Sequence, residues 1–246
     1  MTIVLPQFRG MVGGGGLGSS TDPYFSYVKY LWHADGTDGD VGPYTPTVGA
    51  TVTAGTGASL KTAQHVFGTA SARITGTGSA NTISSTSSTY KPGTSDFVLE
   101  GWCRPDSVPG GGANIIDMRP SANGAYISVG INGSLGWQLY VSSSVKITST
   151  GNVTNGAWNY FCLARTSGTT RLYAGSLGGG TAPQVGSSYT DSNNYNSSGS
   201  VPIYHGGSSF GSGTACYIDD VRLTIGHGRG YTGSSVPVPI APFPNS

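Results

Sequence analysis

The stretch Thr214 to Gly226, read as TACYIDDVRLTIG, alternates strictly along its length. In an extended chain, Tyr217, Asp219, Val221 and Leu223 fall on one side and Ile218, Asp220, Arg222 and Thr224 on the other. A chain carrying such a stretch has to build a sheet around it. With a carboxylate on each side, the strand reads as a sheet edge or a binding surface, and the adjacent carboxylates Asp219 and Asp220 point away from each other.

The rest of the chain repeats the same grammar. DFVLEGWCR (96–104) places Phe97, Leu99, Gly101 and Cys103 on a core-like face and Val98, Glu100, Trp102 and Arg104 on the other. Further strands are predicted at 27–32, 70–74, 81–85, 114–118, 125–131, 135–141, 145–148, 158–165, 170–174 and 201–205, with Trp158, Tyr160, Cys162 and Ala164 sharing a face. Asn132-Gly133 reads as a two-residue hairpin turn. Forty-one Gly and 9% charged residues would suggest disorder, but 14 Tyr, 7 Phe and 4 Trp supply apolar surface for a core. At 246 residues the expectation is one large all-β domain, 27–246, preceded by an arm over 1–26 in which four consecutive glycines tether an apolar plug.

YIDDVRLTIGHGRGYTG, followed by PIAPFP, resembles the C-terminal signature of laminin-G-like, concanavalin A-like domains found in tailed-phage virion proteins of the tail-fibre or head-decoration type. The strand running into HADGTDGD, the segment from Phe67 to Arg73, and the pair WNYFCLAR and TRLYA are similar to further parts of that pattern. The resemblance implies an antiparallel two-sheet jelly-roll sandwich in which 96–104 lies beside the last strand, so that Glu100 and Arg104 meet Asp220 and Arg222. It also implies a non-enzymatic virion protein, displayed on tail or head, present in many copies and able to form oligomers. Such a protein would contact host-surface carbohydrate or, alternatively, would cement a capsid with no glycan ligand.

Three candidate sites follow from the residues. Ile3, Val4, Leu5, Phe8 and Met11 would anchor the arm on other virion proteins, since a wholly exposed plug is an odd use of large apolar side chains, against the alternative of a frayed terminus. Asp35, Asp38 and Asp40 are hard oxygen ligands separated by Gly36 and Gly39. Ca²⁺ is the cofactor they would suit, against the alternative that the three side chains only cap a tight turn. Tyr189, Asp191, Asn193, Asn194 and Tyr195 form a loop whose composition suits stacking on sugars, against the alternative of a solvated loop.

Other chemistry is excluded by what the chain lacks. Glu100 is the only Glu, so the closely spaced carboxylate motif of sandwich-fold glycoside hydrolases is missing. His33, His65, His205 and His227 have no metal-ligand spacing. Scattered Lys and Arg at a net charge of +1 leave no basic stripe for nucleic acid. Met1 to Leu5 is too short for a signal-peptide apolar region, so the chain is expected in the virion after synthesis in the host cytoplasm, without membrane insertion. Cys103, Cys162 and Cys216 each lie within a strand and are expected as buried free thiols.

Overall fold

The computed structural model describes residues 21–76, 81–120, 125–207 and 213–246. The arm residues Ile3, Val4, Leu5, Phe8 and Met11 lie outside these ranges. A 3₁₀ turn, Phe25–Tyr27, leads into β1 (Val28–Trp32), followed by β2 (Val52–Ala54), β3 (Ala58–Lys61), β4 (Ser71–Ile74), β5 (Ile83–Ser87) and β6 (Phe97–Pro105). Then come β7 (Ala113–Asp117), β8 (Ile127–Ile131), β9 (Trp137–Val141), β10 (Ser144–Thr148), β11 (Asn159–Thr166) and β12 (Thr169–Ser176). The chain closes with β13 (Thr181–Pro183), β14 (Tyr189–Thr190), β15 (Val201–His205), β16 (Cys216–Ile225) and β17 (Ser235–Pro237).

Two antiparallel sheets pack as the expected jelly-roll sandwich. The eight-stranded sheet has the order β14-β12-β11-β6-β16-β4-β3, with β1 also paired to β16. The seven-stranded sheet has the order β10-β9-β8-β7-β15-β5-β2, and β13 and β17 form a separate ribbon. Tyr30, Leu60, Ile74, Phe97, Leu99, Phe161 and Leu163 face Ile83, Ile116, Val129, Trp137, Leu139 and Ile203 across the core. Burial of each such side chain contributes on the order of 1.5–3 kcal/mol. All three cysteines are free and buried. The β11–β12 hairpin turns on Ser167 and Gly168, both at positive φ (48° and 72°), which gives the tight turn the sequence suggested.

β16 departs from its sequence pattern at one point. Its register against β6 runs Ile218 to Cys103 and Asp219 to Trp102, then resumes at Arg222 opposite Glu100, with Asp220 at φ 47°. This is a β-bulge: one extra residue shifts the alternation. Ile218, Val221 and Leu223 consequently all join the inter-sheet core, whereas period-two reading had put Ile218 on the opposite face from the other two. The bulge lies where the partner on the far edge of β16 changes, from β4 at Cys216–Ile218 to β1 at Val221–Thr224.

Two further expectations need correction. The connection after β8 spans five residues, 132–136, and is organised by the Asn132 side chain, which accepts from Ser134 N and Gly136 N at 2.9 Å each. Asp22, placed in the arm by sequence, is buried against the eight-stranded sheet.

Candidate functional site: the two outer faces of the sandwich

Each sheet has an outer face, and the two differ in what covers them. On the eight-stranded sheet, Val98 and Trp102 of β6, Tyr160, Cys162 and Ala164 of β11 and Tyr173 of β12 lie under a second apolar layer supplied by Ala182, Val236, Val238 and Phe243. Charges are enclosed in the same layer. Arg222 donates to Glu100 Oε1 from Nε and Nη2 (3.1 and 2.8 Å), and Tyr160 OH donates to Glu100 Oε2 at 2.6 Å. Arg222 also reaches Asp22 Oδ2 at 3.0 Å, and Arg229 holds both Asp22 oxygens at 3.0 and 2.7 Å. The Arg222 guanidinium lies 3.9 Å from the centre of the Phe243 ring. Such a network is costly to desolvate but is fully partnered. The charged ladder expected between β6 and β16 thus exists for Glu100 and Arg222. Arg104 instead lies 3.7 Å from Asp106, and Asp220 pairs with His33.

On the seven-stranded sheet, strand register brings one residue from every strand into a single row. Thr53, Ser84, Tyr204, Asp117, Ser128, Tyr140 and Val145 are successive direct partners across β2, β5, β15, β7, β8, β9 and β10. At about 4.8 Å per strand step the row extends roughly 29 Å. The first six positions alternate with core residues of their own strands, which places them on the outer face, and Val145, separated from the buried Ile147 by a register shift, is exposed.

The next row holds Asn114, Gly130 and Gln138. Ser128 and Gly130 are small and buried on β8, paired across the ladder with the half-buried Tyr140 and Gln138 of β9. A Cβ at Gly130 would lie 2.7 Å from Ala113 O, so no larger residue fits there. Tyr140 OH donates to Gln138 Oε1 at 2.9 Å, Tyr126 OH pairs with Ser143 Oγ at 2.7 Å, and the Arg119 guanidinium lies over the Tyr126 ring at 4.5 Å. Together Asn114, Arg119, Tyr126, Tyr140 and Ser143 line a depression of about 280 Å³. Ser128 Oγ, the direct cross-strand neighbour of Tyr140, is buried with no hydrogen-bond partner.

The sequence candidates fall elsewhere. Asp35 Oδ1 accepts from Thr69 N at 2.5 Å, Asp38 from Thr62 N at 3.1 Å and Asp40 from Gly42 N at 2.9 Å, so each carboxylate caps a different backbone segment. Among the described residues no three His, Cys, Asp or Glu side chains converge as a metal site, and the Ca²⁺ reading gives way to the turn-capping one. Asp191 is buried and accepts from Thr170 Oγ1, Tyr195 OH and Asn193 Nδ2, each at 2.8 Å. Tyr195 is buried too, edge-on to Phe97, and of the five candidate residues only Asn194 is exposed. The loop spends its polar groups on its own structure. The row across the seven-stranded sheet escaped sequence reading because alternation shows which residues face outward, whereas long-range register decides which of them meet.

A sandwich of this topology, with one sheet sealed and the other open and polar, belongs to the lectin and glucanase class of β-sandwiches. The match of residues 75–224 to the sequence profile described as the concanavalin A-like lectin/glucanases superfamily shows that the chain belongs to that family. No curated protein matches it.

Domain 4 of AbnA, a GH43 extracellular arabinanase from Geobacillus stearothermophilus solved with arabinotriose, is similar at 15% identity and TM-score 0.57, over 81% of this chain and 93% of that one. The binding domain of Botulinum neurotoxin serotype D is similar at 11% identity and TM-score 0.55. Trypanosoma rangeli sialidase is similar at 10% identity and TM-score 0.53. The match covers 81% of this chain in both cases, but only 47% of the neurotoxin domain and 30% of the sialidase. These likenesses describe the fold.

Proposed function

We propose that this chain is a non-catalytic glycan-binding sandwich whose ligand lies across the outer face of the seven-stranded sheet. The observation that carries this reading is the cross-strand row from Thr53 to Val145, with the depression that Tyr140 lines together with Asn114, Arg119 and Tyr126. Half-buried tyrosines offer an apolar face with a polar tip, and flanking amides and hydroxyls can meet sugar hydroxyl groups at little entropic cost. The arabinotriose held by the AbnA domain is consistent with this use of the fold.

A non-catalytic role is supported by the state of the carboxylates. Glycoside hydrolysis needs an acid and a nucleophile or base at fixed separation. Glu100 is tied to Arg222 and Tyr160, and Asp117, the carboxylate within the row, is buried with Arg119 Nη2 at 3.4 Å. Display on a phage virion through residues 1–26 rests on the resemblance of the C-terminal segment. It is favoured by position: Asp22 is held on the outer face of the eight-stranded sheet, opposite the open face, so anchoring there would turn the glycan face outward.

A glycan-array screen of the intact chain and of Tyr140→Ala and Asn114→Ala tests the reading. Binding by the parent and loss of about tenfold or more in the variants, a change of about 1.4 kcal/mol, is expected. Absence of binding, or binding indifferent to both substitutions, overturns it. The virion setting is tested separately, by incorporation of a chain lacking residues 1–20 into particles. Normal incorporation defeats the anchoring role.

A further inference from the structure

Across the sealed face runs a C-terminal strap. Ser235–Pro237 pairs with β13, Val238 N donates to Gly180 O at 3.3 Å, and Val236, Val238 and Phe243 are buried under it. Beyond Val238 the chain PIAPFPNS has few anchors, and Ile240 is 89% exposed. Beneath this last part lies a cavity of about 240 Å³ lined by Glu100, Arg222, Tyr231 and Phe243. Two of the anchors pass through one residue pair. Phe243 N donates to Asp220 Oδ2 at 2.9 Å, His33 Nδ1 meets Asp220 Oδ1 at 2.5 Å, and His33 Nε2 meets Asn245 Oδ1 at 2.7 Å. Asp22 N also donates to Ser246 O at 2.7 Å, and the buried Phe243 ring packs on the Arg222 guanidinium at 3.9 Å.

Both nitrogens of His33 face oxygen acceptors. A neutral imidazole carries one N–H and would set a lone pair against one of those oxygens, so with the Asn245 amide turned Oδ1 toward the ring only the imidazolium donates to both. The pair is also held where the backbone is unusual: Asp220 is the bulge residue at φ 47°, and Ala34, directly after His33, sits at φ 58°. Left-handed non-glycine residues cost of order 1–3 kcal/mol and persist where the surroundings over-determine them. Here they aim the carboxylate of β16 and the imidazole at the end of β1 toward the same point of the strap.

We propose that His33 and Asp220 form a protonation-gated clasp that holds residues 239–246 over the Glu100–Arg222 pair and releases them when His33 loses its proton.

The groups that face the clasp are mostly carboxylates, and they hold the proton on His33. From β16 it sees Asp220 itself and Asp219; from its own loop it sees Asp35; the strap contributes no charged side chain. Burial works against the charge on His33, but Asp220, Asn245 and Asp35 outweigh it and raise the ring above its ordinary 6.5. With a raised folded value, the clasp is complete below about 6.5 and is lost as pH climbs through that value. Asp219 is pushed up to about 8, first by burial and then by Asp220 and Asp35, against the pull of the Val66 and Phe67 amides. Its Oδ1 is buried without a partner. An ionised Asp219 adds negative charge beside Asp220, and once His33 gives up its positive charge Asp35, Asp219 and Asp220 are left without a counter-charge.

Amide hydrogen exchange of the full chain tests the clasp, comparing residues 239–246 with β6 and correcting for the intrinsic pH dependence of exchange. From about pH 6 to about pH 9.5, protection of 239–246 should fall by about tenfold or more relative to β6. Asn245→Ala, at an exposed position, should weaken strap protection at neutral pH while leaving β6 unchanged. His33→Gln should abolish the pH step. In the parent, ¹⁵N spectra should show both His33 nitrogens protonated at neutral pH. Strap protection that tracks β6 across the whole range, or a pH step that survives intact in His33→Gln, overturns the proposal.

Discussion

The two outer faces of this sandwich put similar kinds of residue to opposite uses. On the eight-stranded sheet Glu100, Arg222 and Tyr160 meet under Phe243 and Val238, and the polar groups saturate one another. On the seven-stranded sheet Ser128 and Tyr140 stand in one cross-strand row and Asn114 in the next, with no second apolar layer over them among the described residues, and Ser128 Oγ is left over. The difference teaches that polarity along a strand does not by itself mark a binding face. What marks one is polarity that the protein's own segments have not consumed.

The largest effect should come from breaking the sealed face. Glu100→Ala leaves Arg222 buried and half-partnered, and should cost about 3–5 kcal/mol of unfolding free energy by denaturant titration. A loss below about 1 kcal/mol would mean that the network is no more than a surface ion pair. On the open face, Tyr140→Ala should cost about tenfold in glycan affinity with a much smaller loss of stability. If it unfolds the domain instead, the contrast between the faces collapses.

The two buried-side histidines sharpen the comparison by titrating in opposite directions. His205 accepts from Tyr30 OH and donates from Nδ1 to Ile83 O inside the core, where burial pushes it down to about 4. Its contribution is therefore lost as pH falls from about 6.5 through about 4, whereas that of His33 is lost as pH rises above 6.5. NMR titration of the two rings should separate them cleanly, and a His205 that titrates at or above 6.5 would contradict its place in the core. The smallest effect is expected from Ser128→Ala. Deleting a buried, unpartnered hydroxyl should leave stability within about 0.5 kcal/mol of the parent or raise it slightly. A clear destabilisation would show that the hydroxyl already serves the fold.

Much of the fold was legible because it depends on local pattern. The alternation in DFVLEGWCR put Phe97, Leu99 and Cys103 on the core face, where they are found, and Asn159–Thr166 carries Trp158's neighbours Tyr160 and Cys162 on the opposite side as read. The loop from Tyr189 to Tyr195 misled for a physical reason. Asn, Asp and Tyr suit sugar binding and suit self-capping equally well, and here Asp191 gathers Thr170, Asn193 and Tyr195 around itself. The three aspartates from 35 to 40 misled similarly, since closeness in sequence does not make carboxylates converge when each finds a backbone N–H nearer at hand.

By itself, the sequence determined an all-β sandwich with buried thiols and named the strands that build it, since period-two alternation and turn residues act over a few positions. Only the tertiary structure decided that one extra residue in β16 sends Ile218, Val221 and Leu223 to the core together while Asp220 turns to His33. It likewise decided that residues from seven strands line up from Thr53 to Val145. Bulges and registers are settled by competition among long-range pairings for one core, and a one-residue slip that reverses every side chain leaves no trace in the local pattern.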